Sequence, residues 1–108
     1  MTASGTATEA VFNNHLSDAQ LERLALLAEE MGEALHAIGK IIRHGYESHD
    51  PTLPAEEIVS NRAMLQKELG DVRAAMILLC NANDLTKEVI HARADEKLIS
   101  VRKWLHHQ

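Results

Sequence analysis

From Asp18 to His44, apolar residues recur at the three- and four-residue spacing of a helix. Ser17 and Asp18 supply a helix-start signal before this run, and Gly45 supplies a stop after it. The pattern predicts helix one over about Asp18 to His44. The next stretch, "GYESHDPTLPAEE", holds two prolines with Ser, Asp and Gly, and reads as a loop. Helix two begins between Pro54 and Asn61 and continues to about Asn81. "NANDLT" then breaks the pattern, and helix three runs from about Thr86 to about His106. Nowhere does a β-branched segment alternate as a half-buried strand would. The expected fold class is all-α: a bundle of two long helices plus a third. Residues 1–16 are small and polar except for Val11, Phe12 and Leu16, and read as a loose tail before a single helical domain over residues 17–108.

Successive helical residues turn by about 100°. On helix one, Leu21, Leu24, Ala28, Met31, Leu35, Ile38 and Ile42 fall on one stripe, the pattern of a core face. Leu26, Leu27, Ala34, Ala37 and Ile41 form a second apolar arc, with Glu30 in its middle and Glu33 at its edge. Glu29 lies beyond Glu33, on the polar side with Glu22, His36 and Lys40. Helix two is built the same way. Leu65, Leu69, Val72, Met76 and Leu79 form its expected core stripe, and Met64, Ala75, Leu78 and Ala82 widen it. Glu68 and Asp71 fall within that widening, three residues apart and therefore on one face.

Length changes the reading of these wide arcs. A chain of 108 residues makes one small domain, and 45% hydrophobic content marks it as globular. A monomer this small buries only a modest share of its surface, so the expectation is a core completed by a partner subunit. Net charge is −5, which speaks against a nucleic-acid binder with its usual basic stripe. No apolar run approaches the ~18 residues of a membrane span, and the N-terminal stretch lacks the basic and apolar regions of a signal peptide. The single cysteine, Cys80, cannot form an internal disulfide and fits a reducing compartment. A cytoplasmic protein is expected, with no nucleic-acid and no membrane partner.

The carboxylates are the informative anomaly. A solvated face explains Glu29, but Glu30 has apolar neighbours, and an ionised carboxylate there costs several kcal/mol unless something pairs with it. No lysine or arginine falls within the apolar arcs to supply that charge. Glu30 and Glu33 set against Glu68 and Asp71 would gather four negative charges, which a divalent cation would neutralise. All-oxygen ligands suit a hard ion, so Mg²⁺ is the expected cofactor, with Mn²⁺ as a second choice. Mg²⁺ commonly recruits substrate phosphates, which points to phosphate chemistry.

The same residues carry a family likeness. "EEMGE" at Glu29 to Glu33, followed by "ELGDV" at Glu68 to Val72, resembles the EExxE…ExxD signature of the MazG-like nucleotide pyrophosphohydrolases, part of the all-α NTP pyrophosphatase superfamily. The likeness spans about Leu21 to Leu79 and, more loosely, helix three. It implies cleavage of a nucleoside triphosphate to the monophosphate and pyrophosphate with Mg²⁺, and a homodimer or homotetramer. By the same resemblance Glu30, Glu33, Glu68 and Asp71 are metal ligands, and Glu29 is the remaining motif glutamate, expected to orient or activate water. Lys40, Arg93 and Lys97 are candidate phosphate contacts, although the helix-three stretch "HARADEKLISVRKW" lacks the asparagine that the family often carries there.

Two other readings stand beside this one. Glu33-x-x-His36 and Glu88-x-x-His91 match the ligand pattern of ferritin-like di-iron bundles, although His36 is expected on the polar side and Asp71 gains no role. A non-enzymatic helical interaction protein would account for the apolar arcs but not for Glu30, Glu68 and Asp71. Phe12, Tyr46 and Trp104 are the aromatic residues available to stack on a base, and Trp104 is expected to pack helix three onto its neighbours.

Overall fold

The computed structural model describes residues 13–108, so Val11, Phe12 and most of the expected tail lie outside the described residues. Three α-helices follow one another: α1, Asp18–His44; α2, Asn61–Asn81; and α3, Lys87–Ser100. Short 3-10 turns occupy Ala55–Glu57 and Val101–Trp104, and no strand occurs among the described residues.

Local chemistry sets the helix ends. Ser17 and Gln20 form a reciprocal capping box: the Gln20 N–H donates to the Ser17 hydroxyl at 3.1 Å, and the Ser17 N–H donates to Gln20 Oε1 at 2.9 Å. Gly45 ends α1 at φ 89°, where a side chain would be strained, and its N–H donates to the Ile41 carbonyl. Ser60 caps α2 by accepting from the Ala63 N–H. Helix three stops earlier than its periodicity suggests. The Ser100 hydroxyl donates back to the Lys97 carbonyl, competing with the helical ladder, and the chain tightens into the 3-10 turn before Leu105.

α1 and α2 pack as an antiparallel hairpin tied at both ends. At one end, Arg23 on α1 forks onto Asp84 just after α2, at 2.6 and 3.2 Å. At the other, Asn61 Nδ2 donates to the Gly45 carbonyl at 3.1 Å, while the Asn61 and Arg62 N–H groups donate to the carbonyls of Ser48 and Tyr46. Between the ends the buried apolar residues are Ala34, Ala37, Ala75 and Leu79. Three of these are alanines, which lets the two helix backbones approach closely.

That packing corrects the assignment of faces on α1. The second arc, with Ala34 and Ala37, meets α2, whereas the stripe expected to be the core is exposed: Leu35 is 69% and Ile42 is 79% accessible. Small side chains at the contact let the two helix axes approach closely and leave the bulky stripe on the outer face of the hairpin. On α2, Leu79 is fully buried but Leu69 and Leu78 face outward. α3 meets the hairpin through its first turns and then departs from it, leaving Val89, Leu98 and Ile99 exposed. Trp104 does not pack onto neighbouring helices; it is 70% accessible, with the Lys103 ammonium 5.5 Å from its ring centre. The radius of gyration is 20.3 Å, against about 13 Å for a compact chain of this length.

Candidate metal centre

The alanine-lined approach of α1 and α2 has a direct consequence one turn away. Glu30 and Glu33 stand one helical turn before Ala34 and Ala37, and Glu68 and Asp71 one to two turns before Ala75. Each pair projects from one face of its helix. Each of the four carboxylates offers an oxygen, and the four oxygens lie within 4.8 Å of one another. Glu68 is buried, Glu30 and Asp71 are half-buried, and Glu33 is exposed.

Two oxygens at this point are unpaired. Glu30 Oε2 and Glu68 Oε2 are both buried without a hydrogen-bond partner. A buried carboxylate oxygen normally finds a donor, so two orphans side by side signal a missing positive partner. The Glu33 carboxyl is held above the ordinary glutamate range, chiefly because it lies within hydrogen-bonding reach of the Glu68 carboxylate, and further because Glu30 repels its charge. Nearby like charge disfavours the ionised form of Glu33.

The protein supplies one cation at the rim. Lys67 Nζ stands 3.3 Å from Asp71 Oδ2 and 3.6 Å from Glu68 Oε1, with its side chain 63% exposed. No lysine or arginine falls within the apolar arcs, but one reaches the cluster from beside them. Lys67 lies outside the apolar arc on α2, but its long stem brings the ammonium back over the edge. The sequence signal was the four-residue spacing to Asp71. A single exposed ammonium leaves both orphaned oxygens unpaired, and an all-oxygen donor set with buried orphans fits a hard divalent cation.

Beside the cluster lies a cavity of about 310 Å³, lined by Glu29, Gly32, Glu33, His36, Ala37, Lys40, Asn61, Met64 and Glu68. Glu29 and Lys40 thus share one cavity with two of the clustered carboxylates. His36 is exposed and opens onto it as well, on the same stripe of α1 as Glu29, Glu33 and Lys40. Asn61 is a contributor the sequence did not signal, because its place depends on the loop folding back onto the start of α2. Arg93 and Lys97 are not brought here. They stand exposed on α3, where Arg93 approaches Glu96 at 3.8 Å. Glu88 and His91 are also on α3, and His91 lines a separate cavity with Arg73 and Met76. The paired Glu-x-x-His motifs of a di-iron centre therefore do not converge within the chain, and the clustered ligand set contains no histidine. Tyr46 lies under the Arg62 guanidinium, 4.3 Å from its ring centre, and is already stacked.

Among the described residues, no helix is long and apolar enough to cross a membrane. A family model described as the MazG nucleotide pyrophosphohydrolase domain matches residues 19–106, nearly all of the described chain. Comparison with curated proteins and with solved structures gives no match.

Proposed function

We propose, because this chain belongs to the MazG nucleotide pyrophosphohydrolase family and gathers four carboxylates at one point, that it hydrolyses a nucleoside triphosphate, ribo or deoxy, to the monophosphate and pyrophosphate. The observation that carries this reading is the pair of buried, unpartnered oxygens on Glu30 and Glu68. Glu30, Glu33, Glu68 and Asp71 would hold Mg²⁺, or Mn²⁺ in its place. When bound, such an ion neutralises phosphate charge and polarises the phosphoryl group toward in-line attack by water.

The chain's own groups supply the rest. Glu29 is exposed on the cavity wall, and in this reading it accepts a proton from the attacking water. Lys40, in the same cavity, pairs with a phosphate oxygen. Lys67, beside Glu68 and Asp71, would give up those contacts if a cation were bound there. Arg93 and Lys97 would serve phosphate only in an assembled oligomer, where α3 of one copy lies against the hairpin of another. The exposed α1 stripe and the departure of α3 from the hairpin support a homodimer or homotetramer with a shared core. A cytoplasmic site of action agrees with the lone, half-buried Cys80.

A panel of nucleotides, assayed with Mg²⁺ and with Mn²⁺, tests this directly. Pyrophosphate release from at least one (d)NTP is expected. Orthophosphate alone, or no product from any nucleotide, would refute it. Glu68→Ala should abolish turnover while the helical circular-dichroism signal persists.

A further inference from the structure

Lys67 meets the carboxylate centre in a way that helix geometry alone does not supply. Its ammonium stands 3.3 Å from Asp71 Oδ2 and 3.6 Å from Glu68 Oε1. The Asp71 contact is an ordinary four-residue pair, though in the weaker order, with the base ahead of the acid. The Glu68 contact is not ordinary. Adjacent helical residues point about 100° apart and do not face each other. The Lys67 stem has therefore bent toward Glu68, whose side chain is only 9% exposed. Among the described residues, no other cation lies within ion-pair distance of Glu30, Glu33, Glu68 or Asp71. The summed field of these four carboxylates draws the ammonium in.

That ammonium is held loosely. The Lys67 side chain is 63% exposed, and exposed pairs of this kind contribute little to stability. It also stands beside the way in. Counting about 100° per residue round α2, Met64 lies about 40° from Glu68, Asp71 about 60° and Lys67 about 100°, all in one direction. Met64 and Glu68 line the cavity beside the carboxylates, so Lys67 stands at the α2 edge of that opening. Glu29 and Lys40 line the same cavity from α1.

We propose that Lys67 is a further substrate-binding residue: its ammonium neutralises Glu68 and Asp71 in the metal-free chain, and pairs with a phosphate oxygen of the nucleoside triphosphate when they hold a cation. The phosphate half rests on the hydrolase reading; the neutralising half rests on the two distances alone. A phosphate that shares a cation with Glu68 and Asp71 lies beside their oxygens, and hence beside an ammonium already within 3.6 Å of them. Lysine suits such an exchange because its charge is a compact point on a flexible stem. The two halves give Lys67→Gln effects of opposite sign. Loss of a competing positive charge favours the cation, whereas loss of a charged donor to phosphate disfavours the nucleotide.

The first measurement is calorimetric titration of the nucleotide-free protein with Mn²⁺ at low salt. Lys67→Gln should bind Mn²⁺ about threefold more tightly than wild type, and Lys67→Arg should match wild type. Lys87→Gln removes an equal charge beyond the far end of α2, about 20 Å from Glu68, and should change nothing. No Mn²⁺ binding by wild type, equal or weaker binding by Lys67→Gln, or an equal gain from Lys87→Gln overturns the neutralising role. Pyrophosphate release is then followed at saturating Mg²⁺, so that ion affinity does not enter. Lys67→Gln should raise KM for the triphosphate about tenfold with kcat little changed, and Lys67→Arg should recover most of that loss. An unchanged KM, or a fall in kcat alone, overturns the phosphate role. Absence of hydrolysis with every nucleotide would refute the hydrolase reading and the phosphate role with it, whereas tighter Mn²⁺ binding by Lys67→Gln would still establish the neutralising one.

Discussion

Glu68→Gln should stabilise the metal-free protein and destabilise the metal-loaded one relative to wild type. The substitution keeps the side-chain volume and removes one charge from a buried position. Oxygens of the cluster lie no more than 4.8 Å apart; at an effective dielectric of 20, two full charges at that distance repel by about 3.5 kcal/mol. Lys67, at 3.6 Å from Glu68 but largely in water, offsets part of this. The introduced amide would also offer a donor to the orphaned Glu30 oxygen. A net gain of about 1 kcal/mol is expected in chelator, a rise of about 4–8 °C in Tm for a domain of this size. Saturating Mg²⁺ reverses the order. An ion at 100 times its Kd stabilises the binding form by about 2.7 kcal/mol, and only wild type keeps the full ligand set. The assay is thermal unfolding of both proteins at one protomer concentration, in chelator and in Mg²⁺. A lower Tm for the variant in chelator would refute the repulsion argument. An equal Mg²⁺ shift in both proteins would show that Glu68 does not hold the ion.

Other consequences can be measured alongside. The Arg23 guanidinium holds the Asp84 carboxyl below the usual carboxylate range, so its stabilisation is present above the unfolded value of about 3.9 and lost as pH falls through the lower folded value. Asp84→Asn should therefore lower Tm at neutral pH, with the deficit disappearing in strong acid. Glu33, held high by Glu68 and Glu30, has the opposite sign. The advantage of Glu33→Gln in chelator should be absent below about pH 4.3, grow as pH rises through the raised folded value, and then level off. Leu79→Ala empties the fully buried position between the helices and should cost about 2–5 kcal/mol in denaturant unfolding. Leu35→Glu places charge on the exposed α1 stripe. Light scattering should show smaller particles than wild type, and an unchanged mass would exclude that stripe as a subunit contact.

The sequence alone determined the existence of the three helices and the spacing of the four carboxylates, but not the end of α3. Periodicity and caps placed both ends of α1 and the end of α2, and bounded the start of α2 to Pro54–Asn61, because caps and breakers act locally: Ser17, Gly45 and the proline loop need no tertiary context. The i, i+3 spacing within Glu30/Glu33 and Glu68/Asp71 is likewise a property of one helix, and their apolar neighbours marked them as abnormal. Which face of α1 turns inward was not local. The bulky stripe through Leu35 and the alanine arc through Glu30 are both apolar, and only the α1–α2 packing chose the alanines, by allowing closer approach. That same choice brought the carboxylates together and left Leu35 and Ile42 in solvent. Asn61 and the Arg23–Asp84 clamp were illegible for a related reason. Each depends on the reach of a side chain or on a loop folding back, and neither is written in the spacing of residues along one helix.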